Sequence, residues 1–139
     1  MTHAAARWLL VSAALEIVAS SLLGYVMLIP MQPWGRRLRD RFPAPRALMS
    51  VHLDMVMLAL MQAAAALGTY AFPSRLDRAA AALLIASGWL NVTPYAWRMV
   101  GVNAFALAGG GLQRFAASLS FAGTLALTAG WVVLIAGWI

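Results

Sequence analysis

The sequence predicts an all-α fold, an integral membrane four-transmembrane-helix bundle, and three observations predict it. Of the 139 residues, 63% are hydrophobic and only 10% are charged, against about 45–50% apolar and 25% charged in soluble domains. The mean hydropathy is +0.82. The apolar residues fall into four continuous runs rather than an alternating pattern, each near the ~20 residues that cross a bilayer core of ~30 Å. In hydrocarbon every backbone N–H and C=O must be satisfied internally, so continuous runs of this length select helices over a barrel.

The first span runs from about Trp8 to Ile29 and stops at Pro30. An arginine precedes it, as in a secretory leader, but its length and the lack of a small-x-small exit near Pro30 identify a retained helix. The second span covers Ala47 to Tyr70 and ends before Phe72 and Pro73. The third covers Ala79 to about Val100 with Pro94 inside it, and the fourth Phe115 to Trp138. Small residues recur in these helices, at Ala63 to Ala66, Ala79 to Ala82, Gly123, Ala126 and Gly130. They allow backbones to approach closely within a bundle or between subunits. The chain reads as one domain, residues 1–139, with function inside or at the edge of the bundle.

Ten arginines face Glu16, Asp40, Asp54 and Asp77, giving a net charge of +6, and lysine is absent. The absence of lysine excludes Schiff-base chemistry. No cysteine is present, which excludes disulfides, thiolate metal sites and cysteine nucleophiles. Arg36, Arg37, Arg39, Arg41 and Arg46 crowd the first loop, and Arg98 and Arg114 flank the third. Arg7, Arg75 and Arg78 lie on the other side. The bias places the first and third loops in the cytoplasm and both termini outside. It also explains the positive charge through topology and anionic lipid headgroups, with no nucleic-acid partner. The lipid bilayer is the expected partner, and the bacterial inner (cytoplasmic) membrane the expected location.

Ionisable side chains within such spans are costly and mark functional sites by default. His52 lies a few residues into the second span, and the other histidine, His3, is at the N-terminus. His52 and Asp54 enter from the first-loop side to a depth of ~8–10 Å. Two residues apart, they point to different faces and form no simple dyad. Asn91 and Tyr95 are four apart and share a helical face, in the same leaflet as His52. Gln113, Ser118 and Ser120 begin the fourth span on that side, so a polar pocket is expected near the cytoplasmic end. The plainer alternatives are that His52 bonds a carbonyl of the next helix, and that Asn91 and Tyr95 are interhelical glue and an interfacial aromatic. Glu16, at mid-membrane, must be paired or protonated. Most tryptophans fit an interfacial belt, Trp89 lies deeper where it could line a pocket, and Met49, Met55, Met57 and Met61 read as adaptable packing.

One histidine and one carboxylate facing away support a zinc site poorly. Haem needs one strong protein ligand, and a single histidine would leave the other face of the iron open. Arg46 and the first-loop arginines could meet the propionates.

At these residues the chain resembles a group of small membrane isomerases. Ser50-Val51-His52-Leu53-Asp54-Met55-Val56-Met57 is similar to the His-Leu-acidic segment opening the second helix of hydroxylaminobenzene mutases. Gly88-Trp89-Leu90-Asn91-Val92-Thr93-Pro94-Tyr95 resembles the Gly-Trp-x-Asn-Val-x-x-Tyr segment of styrene oxide isomerases. Asn103 and Gly109 fall at the spacing seen in the latter family. The resemblance spans about Ala47 to Ala122. It implies that His52 is the axial ligand of haem b, in the ferric state, and that Asn91 and Tyr95 position a small hydrophobic aromatic substrate beside the iron. It further implies a homotrimer and a redox-neutral rearrangement of aromatic epoxides to aldehydes, with the hydroxylamine-to-aminophenol rearrangement as the alternative. One departure is Leu58, where both families carry Asn six residues after the histidine. From another class, a non-catalytic transporter or helper subunit with His52 and Asp54 along a polar path would share the same spans.

Overall fold

The computed structural model of the chain describes residues 3–35, 37 and 46–139. Arg36, Arg39, Asp40 and Arg41 lie outside the described residues. Among the described residues there is no strand, and four helical segments are long and apolar enough to cross a membrane. These segments are compatible with a multi-pass membrane protein.

Helix α1 covers Ala4–Leu28 and tightens into a 3₁₀ turn, Ile29–Met31. The tightening coincides with Pro30, whose ring fixes φ and which offers no N–H to an α-helical ladder. A second 3₁₀ turn, Pro33–Gly35, follows. Helix α2 is Arg46–Ala71, close to the expected Ala47 to Tyr70.

The third span is broken, which its composition does not show but Pro94 explains. Helix α3 is Asp77–Asn91 and helix α4 is Thr93–Met99, with Val92 between them. Pro94 has no N–H to offer the carbonyl of Leu90. That carbonyl instead accepts the Thr93 hydroxyl at 2.7 Å and the Val92 N–H. A neighbouring Thr satisfying the carbonyl that a proline has freed makes a break tolerable at membrane depth. Helix α5, Gly111–Trp138, begins one turn before the expected Phe115. Serine and threonine within the spans bond back to their own helices, as Ser21 does to Ile17 O at 2.8 Å and Thr69 to Ala66 O at 2.9 Å.

Helix α1 packs mainly on α2, and α3 on α5, with α1 and α2 also touching α3. Small side chains make these approaches possible. Ala5, Ala6, Leu9, Ala65, Ala66, Ala80, Ala81, Leu84 and Leu134 form the core of one end. A Cβ on Gly130 would stand 2.8 Å from Leu84 Cγ, and one on Gly123 would stand 3.0 Å from the backbone nitrogen of Asn91. Helix α5 therefore runs almost backbone against backbone with α3. Towards the first-loop end the core changes to Val51, Met55, Leu58 and Val92, with Leu23, Tyr95 and Met99 packed on it. Large apolar side chains such as Leu22, Leu60, Phe121 and Val132 remain exposed on the outer faces, which is compatible with a bundle solvated by lipid.

Candidate functional site

His52 is half-buried on α2 and is tied to α1 through one residue. Its Nδ1 lies 2.8 Å from the carbonyl oxygen of Ser20 and 2.8 Å from the Ser20 hydroxyl oxygen. The Ser20 hydroxyl in turn donates to the backbone carbonyl of His52 at 2.9 Å. A carbonyl can only accept, so Nδ1 carries the proton and donates to it. Nε2 then holds the free lone pair, and among the described residues no hydrogen bond engages it. Gly24, one turn beyond Ser20, lies beside the ring edge: a Cβ there would make ordinary contact with His52 Cε1 at 3.7 Å.

Asn91, at the end of α3, turns toward α5. Its Oδ1 accepts the Thr124 hydroxyl at 3.3 Å, while its Nδ2 is buried with no partner among the described residues. Tyr95, on α4, packs on the Val51, Met55, Leu58 and Val92 cluster and meets Phe105 edge-on, with centroids 5.2 Å apart. The four-residue spacing of Asn91 and Tyr95 straddles the break at Val92. The structure joins neither residue to His52 by a hydrogen bond. Within one chain, His52 faces α1, Asn91 faces α5, and Tyr95 lies across an apolar cluster. Leu58 is 7% exposed and belongs to that cluster beside Tyr95. Where the two families carry an amide, this chain has apolar contact. Arg46 is exposed at the first residue of α2, ~9 Å along the axis from His52. Asp54 is half-buried on the same helix.

Two polar features lie away from the expected pocket. A groove of about 600 Å³ opens between α1 and α3 toward the opposite end, lined by Arg7, Trp8, Ser12, Ile85 and Trp89 among others. The Trp89 indole N–H donates to Ser12 Oγ at 3.2 Å, so this deeper tryptophan does line a pocket. Half-way along the bundle, Gln62 of α2 donates through Nε2 to Glu16 Oε1 at 2.6 Å. Sequence reasoning singled out Glu16 but missed Gln62 and Ser20. Gln62 had a signal, as the one amide inside the second span. Ser20 had none, because a serine in a membrane helix bonds its own carbonyls as readily as another helix. Among the described residues no cluster of three His, Cys, Asp or Glu side chains is placed to hold a metal ion. No protein family, curated protein or solved structure matches this chain.

Proposed function

We propose that this protein is a membrane-embedded, haem-dependent isomerase that rearranges small aromatic epoxides to aldehydes. The observation that carries the reading is the state of His52. A histidine that ligates a metal through one nitrogen commonly donates its other N–H to a carbonyl, which fixes the tautomer and the ring plane. His52 donates from Nδ1 to Ser20 O and keeps Nε2 free. The residues present therefore fit haem b, held by His52 Nε2 with Arg46 near enough to the same helix end to meet a propionate. Bound there, the ferric group would supply Lewis acidity toward an epoxide oxygen.

The chain's own residues do the rest. Ser20 holds the imidazole in orientation from α1. Val51, Met55, Leu58 and Val92 keep water from the Tyr95 side, which spares an electron-poor carbon from hydration. Asn91 Nδ2, buried and unpartnered, is a donor available to a substrate oxygen. His52 and Asn91 face different neighbours within one chain, so a site using both would be completed across a subunit boundary. That suits the homotrimer implied by the resemblance. The bacterial cytoplasmic membrane would deliver an apolar substrate by partition.

The test is an absorption spectrum of the protein purified in mild detergent, followed by turnover of styrene oxide to phenylacetaldehyde. A Soret band that disappears in His52→Ala is expected. Asn91→Ala and Tyr95→Phe should lower the rate while leaving the band. A stable, colourless wild-type protein sinks the reading. Turnover of hydroxylaminobenzene with none of styrene oxide would shift it to the alternative rearrangement.

A further inference from the structure

Two deeply buried polar residues of the bundle take no part in the chemistry assigned to His52. Glu16 on α1 is 0% exposed and Gln62 on α2 is 2% exposed. Gln62 Nε2 points to Glu16 Oε1 and, at 3.4 Å, to the carbonyl of Leu84. Glu16 Oε2 and Gln62 Oε1 are buried with no hydrogen-bond partner among the described residues. Both are acceptors. Of the neighbouring hydroxyls, Ser87 spends its proton on Leu84 O at 2.8 Å, and only that of Ser12, whose oxygen accepts the Trp89 N–H, stands near the Glu16 carboxyl. Gly88 leaves the space clear: a Cβ there would run into Glu16 Oε1 and Gln62 Nε2.

Two unpartnered acceptor oxygens on adjacent helices call for a cation rather than an anion or an apolar ligand. Charge balance sets its valence. The flanking residues, Gln62, Leu84, Ser87 and Gly88, are neutral, so one carboxylate with one monovalent cation leaves no net charge. A divalent ion would leave a positive charge within the bundle. We propose that Glu16 Oε2 and Gln62 Oε1 form a binding site for a monovalent cation, either a proton or an alkali-metal ion, at mid-bundle. Access is at hand. The groove between α1 and α3 includes Ser12 in its lining, and Ser12 stands one turn from Glu16 on the same face of α1.

Glu16 is the only glutamate in the sequence, so cell-free synthesis with side-chain-carboxyl ¹³C-glutamate labels that carboxyl alone. The full chain in lipid vesicles is then examined by infrared spectroscopy at neutral pH, in sodium, potassium and choline chloride of equal ionic strength. A bound proton gives the signal of a neutral carboxylic acid in all three salts. A bound alkali ion gives a carboxylate signal that differs between the alkali salts and choline, with a thermal midpoint several degrees higher in the favoured salt. Either signal must shift in Gln62→Met, or in Gly88→Ala, whose methyl displaces the pair. A carboxylate indifferent to the salt overturns the proposal, and so does a neutral carboxyl that ignores both variants.

Discussion

Gly123→Ala tests the close contact that holds the fourth span to the third. The added Cβ would lie 2.9 Å from Leu90 Cβ, 3.0 Å from Asn91 N and 3.1 Å from Leu90 C. Carbon atoms rest at about 3.5–4.0 Å. These obstacles are backbone or sit next to it, so no rotamer change relieves them. Helices α3 and α5 must separate by about half an ångström or more. Overpacking of this kind costs about 1–3 kcal/mol. Against it stands the gain of replacing glycine in a helix, up to about 1 kcal/mol. Gly111→Ala, on the same helix, supplies the comparison because a Cβ there meets nothing within 4 Å. Unfolding in mixed micelles, followed by tryptophan fluorescence, should place Gly123→Ala below Gly111→Ala by about 1–3 kcal/mol. Equal or higher stability of Gly123→Ala would refute the backbone-to-backbone packing of α3 on α5. The same shift would move Asn91, so a loss of turnover larger than any loss of the Soret band is expected.

Two further substitutions separate roles that now overlap. Ser20→Ala removes the hydroxyl that donates to His52 O at 2.9 Å but keeps the carbonyl that receives Nδ1–H. It should cost about 0.5–1.5 kcal/mol of stability and leave the Soret band; loss of the band would show that the hydroxyl, not the carbonyl, sets the imidazole. Leu58→Asn places an amide inside the Val51, Met55 and Val92 cluster. Without a partner it should destabilise by about 1–3 kcal/mol, and a ligand that hydrogen-bonds the amide should recover part of that loss. An unfolding midpoint unchanged by the substitution would mean that position 58 is not sealed from water.

The spans and the ionisable outliers were legible in the sequence because both rest on transfer energies that act residue by residue. Continuous apolar runs, Pro30 at the first exit, His52 and Glu16 could all be read without knowing a neighbour. The partners could not. Whether His52 answers to Ser20, or Glu16 to Gln62, depends on helix rotation, which near-uniform apolar faces leave open. Pro94 was visible, yet the break at Val92 depended on Thr93 being placed to take up the freed carbonyl of Leu90. The order and direction of the spans put Asn91 and Tyr95 with His52 toward one end of the bundle, but the fold turns the three side chains toward different neighbours. By itself the sequence determined four apolar spans and the position of each polar group along them. Tertiary structure decided which way each group faces, because in a bundle built on alanine and glycine the rotation of a helix is set by the fit of its small residues against the next.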